Sequence, residues 1–530
     1  MKQVVSGLLF LGFALGCVQT CCGAPPDLLG FFPAGGSPGE TIRAKAEGSF
    51  ETWPCEWWVD RPGVTLRCEE TKGEVTITIA PDAGHGRYWV RAFNATGASK
   101  LVPLLICGGG SVVEVEPNNH PEKAQKINEV ATVDGKLAKS EDVDCYQLEL
   151  RAGTTLSARV DANHWLGSPI DMVLQICDQQ GRVLKHRDDG VGLDPAIDYV
   201  VPKDGTYLLR VFGFPATPNS TIGFTGGDRM AYRLTMTQGD TEAPLNSAVL
   251  GRNLGPQAMA ASRDSMFEIW KANEGNPSTA FLWLSGSPTW HALPYPAGLR
   301  FHYPIGTRPE VLQPAQAMTL KGPNKKEILR QRVRFNEGES ARVRVLAQTL
   351  GQPLDPVLKM INAAGETVAT VDDAGGNRDA YYDWKGKADR QLVIEIRDRF
   401  DRDLSDSNFA IFVEPLLPVI DVQWSQEVWN GKQGEPTELR LNVKSDQDRE
   451  GAWELFLLSA PEGVRSTPVS LSKITKAGEE IKLVVQGDST TNGPLKVGLR
   501  SKESQECVAT SFVKLAGTQV DYPFAWITLQ

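Results

Sequence analysis

The feature that most constrains this chain is a pattern written twice. Around Gly181 and again around Gly365, an offset of 184 residues, the same landmarks recur. Asp171-Met-Val-Leu precedes the first glycine and Asp355-Pro-Val-Leu the second, while Asp188-Asp189 and Asp372-Asp373 follow them. A unit at about 114–238 that returns, weakened, at about 327–413 is the signature of stacked modules rather than one catalytic body. Within the first unit, Tyr146-Gln-Leu-Glu-Leu, Thr155-Leu-Ser-Ala-Arg-Val and Tyr207-Leu-Leu-Arg-Val alternate with period two, the mark of strands with one buried face. Ala152-Gly153, Gln180-Gly181 and Asp204-Gly205 supply turns with access to positive φ. The implied unit is an antiparallel, jelly-roll-like sandwich. The fold class expected for the whole chain is all-β, a multidomain string of β-sandwich and jelly-roll-like modules.

A chain of 530 residues is too long for one hydrophobic core, and its landmarks divide it into several units. Residues 1–24 read as an export signal: Lys2, an apolar stretch from Val4 to Cys17, small residues at Cys22-Gly23-Ala24, then Pro25-Pro26. Ala14-Leu15-Gly16-Cys17 loosely resembles a bacterial lipoprotein cleavage box, with Ala where Leu is usual; the alternative is a cysteine in a discarded peptide. No later segment offers the roughly 20 apolar residues of a spanning helix. Residues 25–108 alternate short strands with Gly/Pro turns. In Phe32-Pro-Ala-Gly-Gly and Arg91-Ala-Phe-Asn-Ala-Thr-Gly they resemble the immunoglobulin-like IPT/TIG sandwich. Residues 109–240 hold the first repeat unit and 319–415 the second. Between them, 241–318 form a degenerate β domain or a connector, because Pro288, Pro294, Pro296 and Pro304 interrupt strand pairing. Residues 416–530, with Thr437-Glu-Leu-Arg-Leu-Asn-Val and Ile481-Lys-Leu-Val-Val, resemble a closing Ig-like sandwich.

The first repeat unit carries the most specific resemblance. Glu114-Val-Glu-Pro-Asn-Asn119, Val133-Asp-Gly135, Glu141-Asp-Val-Asp144-Cys-Tyr146, Ala152-Gly153, Asp171, Asp178 with Gly181, Pro202-Lys-Asp-Gly205-Thr-Tyr207, Gly227 and Tyr232-Arg-Leu-Thr-Met occur in order over about 125 residues. Together they resemble the bacterial pre-peptidase C-terminal (PPC) domain. The second unit lacks the Glu-x-Glu-Pro-Asn lead-in and has Arg390 near the place of Gly205, so the scaffold is retained without the same site.

In the lead-in, Glu114 and Glu116 fall on one side of an extended segment, and Asn118 or Asn119 adds amide or backbone oxygens. Asp142 and Asp144 share that spacing at the start of the next strand. Hard Ca2+ takes six to eight oxygen ligands. Collagen-binding relatives of the PPC domain hold structural calcium with a similar acidic lead-in and acidic strand start. The resemblance therefore implies a structural Ca2+ at Glu114, Glu116, Asn118, Asn119, Asp142 and Asp144. The competing reading is a linker turn whose acids face water. A second acidic set, Asp188-Asp189, Asp194 and Asp198 with Asp372-Asp373, Asp379 and Asp383, has the chemistry of polar turns.

The remaining composition narrows the functional classes. A formal charge of -10 disfavours a nucleic-acid partner, since neutralising phosphates needs concentrated Lys and Arg. The local basic run Lys325-Lys326 with Arg330, Arg332 and Arg334 alternates as the wet face of a strand does. Six histidines form no HExxH pair, and neither a GxSxG elbow nor a Gly-rich phosphate loop is present, so no enzyme activity is expected. Nine cysteines allow Cys55–Cys68 and Cys145–Cys177 disulfides in an oxidising compartment, though the second pair reads equally as buried thiols. The expectation is an exported protein, periplasmic, cell-surface or secreted, with a structural or adhesion role and an extracellular polysaccharide or a matrix or envelope protein as partner. The alternative is a carbohydrate-binding or accessory, inhibitory module working with a separate secreted hydrolase. Burial of Trp53, Trp57, Trp58, Trp165 and Trp290 counts against the carbohydrate platform.

Overall fold

The computed structural model describes residues 23–84, 86–106, 110–127, 132–189, 192–217, 223–240, 258–259, 267–271, 279–284, 291–294, 300–301, 311–312, 316–335, 340–347, 354–373, 378–385, 391–405, 408–415, 420–503, 505, 507–515 and 521–530. Residues 1–22 of the segment read as an export signal, with Trp290, Cys107 and Arg390, lie outside the described residues. What is described is all-β apart from two short helical turns, Pro121–Lys123 and Asn163–Leu166.

The two repeat units have one topology. In the first, one sheet runs Ser111–Val113, Thr132–Lys136, Ala231–Asp240, Thr154–Asp161, Ala196–Val200. Its partner sheet runs Gln125–Lys126, Asp144–Leu150, Gly205–Pro215, Ile170–Asp178, Val183–Arg187. The second unit repeats both strand orders, as Arg300–Phe301, Gln316–Lys321, Asn408–Pro415, Ser340–Leu346, Ala380–Lys385 and Val311–Leu312, Leu329–Arg334, Gln391–Asp398, Pro356–Asn362, Thr367–Val371. Pairing in the second unit therefore reaches upstream of residue 319. In all four sheets the first pair is parallel and the rest are antiparallel.

The correspondence extends to irregularities. The hairpin register slips between Ile176 and Cys177 in one unit and between Met360 and Ile361 in the other, again 184 residues apart. Asp178 Oδ1 accepts from the backbone N–H of Gln180 and Arg182, and Asn362 Oδ1 from Ala364 and Glu366. Gly181 and Gly365 close these turns at φ 80° and 84°, a region L-residues enter at a cost. Leu329–Arg334 shows how alternation sets the faces: Leu329, Gln331 and Val333 are buried while Arg330, Arg332 and Arg334 are exposed. The basic run is thus the wet face of a strand.

Residues 27–106 form a sandwich of two sheets. One runs Asp27–Phe32, Thr41–Ser49, Glu74–Ile79, Val64–Cys68, and the other runs Gly35–Gly36, Val102–Ile106, Gly86–Asn94, Glu56–Val59. Val75, Ile77, Val90 and Leu104 fill its centre. Between the repeat units, Ala258–Met259, Phe267–Lys271, Thr279–Leu284 and His291–Pro294 make an antiparallel four-stranded sheet. The C-terminal strands from Ile420 onward build one large sheet system around Leu439, Leu483, Val497 and Ile527.

The first sandwich does not stand apart from its neighbours. Trp89 and Leu101 belong to the C-terminal core, and the Trp58 and Trp526 rings meet edge to face at 5.7 Å. On another side, Arg87 lies over the rings of Trp89 and Trp165 and donates to the His164 carbonyl at 2.7 Å. Arg233 of the first repeat unit pairs with Asp134 at 3.1 Å and donates to the Leu105 carbonyl. Buried charge of this kind is costly unless it is paired, so these contacts fix how the sandwiches meet.

Candidate metal centre

The lead-in to the first repeat unit is held in place by backbone pairing. Ser111–Val113 pairs in parallel with Thr132–Lys136, and the Glu114 N–H donates to the Asp134 carbonyl at 3.0 Å. The Gln125 side chain then clamps the segment, accepting from Val115 N–H at 2.8 Å and donating to the Val113 carbonyl at 3.1 Å. The Glu116–Pro117 peptide is cis, and Asn118 follows with its carbonyl accepting from Cys145 N–H at 3.1 Å. The lead-in is therefore bound to the start of the strand Asp144–Leu150, which carries the other acids.

Five of the six residues singled out in the sequence converge here. One carboxylate oxygen each from Glu116, Asp142 and Asp144 lie within 4.8 Å of one another. Glu114 reaches the same place, since its charge and that of Asp144 act on each other. Asn118 is 0% exposed, yet neither its side-chain oxygen nor its nitrogen has a hydrogen-bond partner. Glu114 Oε2 and Asp144 Oδ1 are buried and accept from no N–H or O–H donor, and the two carboxyls can bond to each other only through a proton that one of them keeps. Asn119, the sixth, uses its amide nitrogen to donate to Asp142 Oδ1 at 2.7 Å and so steadies a carboxylate. The other Asp142 oxygen accepts from Ala138 N–H at 2.7 Å, and Glu116 Oε2 accepts from Asn118 N–H at 3.0 Å.

Crowding buried acids raises their proton affinity. Burial first, and the Asp144 charge second, push Glu114 well above the usual carboxylate range. Burial also lifts Asp144; a hydrogen bond from Tyr232 opposes this, and the charges of Asp142 and Glu116 add to it. Tyr232 donates to Asp144 Oδ2, and its oxygen lies 2.6 Å from that of Tyr146. These two tyrosines were not foreseen as site residues, although Tyr232-Arg-Leu was visible as a closing motif. Orphaned buried oxygens beside mutually repelling carboxylates are what an oxygen-seeking cation satisfies. The donor set is all oxygen, as Ca2+ prefers.

The other sequence candidates have structural partners. Asp194 accepts from the backbone N–H groups of Ala162, Asn163 and His164, capping the short helix. Asp198 accepts from Ser157 and Asp379 from Ala347 N–H, while Asp383 pairs with Arg342 and Asp372 with Arg399. Cys55, Cys68, Cys145, Cys177 and Cys507 are free thiols. Cys145 and Cys177 are buried on strands separated by Gly205–Pro215, so a bridge between them is not formed. Trp53 meets Phe50 and donates to the Glu69 carbonyl; Trp57 meets Phe31; Trp165 is buried. With Trp58 on Trp526, none of these rings lies open as a sugar platform.

Comparison with known proteins finds a family resemblance that begins at this site. Residues 142–213 match the model of the bacterial pre-peptidase C-terminal domain. The PPC match begins at Asp142, so Glu114, Glu116, Asn118 and Asn119 lie on its N-terminal side. A probable subtilase-type serine protease of Deinococcus radiodurans is 32% identical over 146 residues, which are 27% of this chain and 17% of that protein. The chain thus spans about a sixth of that relative. Among solved structures, the PPC domain of a Bacillus anthracis collagenase is similar at 18% identity, covering 23% of this chain and all of that one, with a TM-score of 0.17. The four N-terminal Ig domains of Dscam1 are similar at 10% identity over 96% of this chain and 97% of theirs, with a TM-score of 0.18.

Proposed function

We propose that this is an exported, non-catalytic protein of the cell exterior, whose PPC unit is ordered by a structural Ca2+ and whose sandwiches present binding surfaces to an extracellular polysaccharide or to a matrix or envelope protein. The observation that carries the reading is the convergence of Glu116, Asp142 and Asp144 carboxylate oxygens within 4.8 Å, with the buried, unpartnered Asn118 side chain on a backbone that itself bonds to Glu116 and to Cys145. Glu114, Glu116, Asn118, Asp142 and Asp144 would hold the ion, which when bound neutralises the acids and ties the lead-in to the sheet. Asn119, Tyr232 and Ala138 N–H hold the acids in position.

Export is supported by the pattern of residues 1–24. Among the described residues no helix is long and apolar enough to cross a membrane. Nucleic acid is not the proposed partner, given the charge of -10. Buried or half-buried tryptophans disfavour an aromatic sugar platform, so polymer contact is assigned to strand faces and loops. The test is a glycan and matrix-polymer array probed with the mature protein, with and without chelator. Saturable binding to one class supports the proposal; absence of binding in both conditions contradicts it.

A second reading is favoured by the protease relative: an accessory module acting with a separate secreted hydrolase. Under it, the chain changes the turnover or stability of a secreted protease when the two are mixed and binds no polymer.

A further inference from the structure

We propose that Cys55 and Cys68 are a redox modification site that closes one edge of the first sandwich with a disulfide. Their sulfurs lie 4.0 Å apart, across 13 residues of sequence. Cys68 ends the strand Val64–Cys68, the last strand of one sheet, and Cys55 immediately precedes Glu56–Val59, the last strand of the other. The pair therefore sits where two open edges face each other, and a bond here joins the two sheets across that opening.

Local contacts aim the sulfurs at each other. The Cys68 thiol donates to the Cys55 carbonyl at 3.2 Å, and Trp57 Nε1 donates to Cys68 Sγ at 3.2 Å. A bond needs the sulfurs at about 2.0 Å, so the closure is an approach of about 2 Å, within reach of side-chain rotation. Burial and the neighbouring Cys68 make Cys55 hold its proton tightly, and Cys68 is the more exposed of the two. Cys68 is thus the first to react.

With a small-molecule disulfide as oxidant the step balances. The Cys68 thiol loses its proton to solvent and its sulfur attacks one sulfur of oxidised glutathione, releasing one glutathione thiolate. Cys55 then loses its proton and attacks the Cys68–glutathione bond, releasing the second. Two electrons pass from the cysteine pair to glutathione, and the protein loses two hydrogens. The crosslink would pin the strand carrying Trp57 and Trp58, the latter being the ring that meets Trp526 of the C-terminal sheet system.

Peptide mapping of the full chain tests this without any substitution. Native protein is incubated with oxidised glutathione, quenched with iodoacetamide, unfolded and digested with trypsin. The expected product is peptide 46–67 joined to peptide 68–72, split by reductant, with Cys145 and Cys177 recovered as free thiols. Recovery of both peptides alkylated overturns the proposal. So does Cys68 carrying glutathione while Cys55 stays free, or either cysteine joined to Cys107. Cys55→Ser should convert Cys68 to the glutathione adduct; no adduct on that variant would show that Cys68 is not the entering thiol and would count against the order of steps.

Discussion

Arg91 and Glu427 lie 336 residues apart in sequence and form an ion pair at 2.7 Å, almost closed to solvent. Glu427 also accepts from Leu101 N–H at 2.7 Å, and Arg91 lies over the Trp526 ring. One carboxylate thus satisfies a guanidinium and a backbone donor from the first sandwich at once. Glu427→Ala should cost about 3–5 kcal/mol, because it strands a buried charge. Arg91→Met with Glu427→Gln should cost less than Glu427→Ala alone, since the amide oxygen still accepts from Leu101 N–H and no charge is stranded. Urea unfolding followed by tryptophan fluorescence checks the pair; equal costs for the single and double variants would mean that the ion pair does not govern the seam.

The acid cluster makes stability depend on pH when no cation is bound. Burial above all holds both carboxyls above their unfolded values, Glu114 pushed up to about 9 and Asp144 up to about 7. The folded state therefore holds protons that the unfolded state has already lost. That contribution is full at acid pH and disappears as pH rises through this window. Thermal melts of chelator-treated protein should fall by several degrees between pH 6 and pH 9, and added Ca2+ should remove the fall. A melting temperature that rises with pH in chelator would reverse the sign.

Tyr232 favours the charged form of Asp144 through its hydrogen bond. Tyr232→Phe should weaken Ca2+ binding by about tenfold, within the usual range for groups that orient a metal ligand. The loss should be greater at pH 6 than at pH 8, because protons compete more strongly for the freed carboxylate. Titration calorimetry at both pH values measures this; a pH-independent loss would point to packing alone.

The repeated turn offers a matched pair of substitutions. Gly365 has open space where a Cβ would go, so Gly365→Ala should cost about 1–2 kcal/mol from its positive φ alone. At Gly181 the new Cβ would also meet Pro121 Cγ at 3.0 Å, so Gly181→Ala should cost more. Denaturant midpoints of the two variants decide the order.

These residues also show how far the sequence could be read. Gly181 and Gly365 were visible as landmarks because turn chemistry is local, and the shared register slip beside each follows from the same hairpin. The alternation in Leu329–Arg334 was equally local. Arg91 and Glu427 were not legible as partners, since no periodicity links positions that only the tertiary fold brings together. At the candidate site, the acids announced themselves by spacing and by resemblance. That Asn118 would be buried without a side-chain partner follows from no local pattern, and that Tyr232 would reach Asp144 depended on strands more than 80 residues apart in sequence meeting.

The most direct measurement is isothermal titration of Ca2+ into chelator-treated full-length protein, beside Asp142→Asn/Asp144→Asn. The expected result is a saturable isotherm for one ion that vanishes in the double variant, with a matching rise in melting temperature only for the unsubstituted chain. Heat at the buffer baseline with no rise in melting temperature would contradict the site, and an isotherm unchanged by the double substitution would place the ion elsewhere.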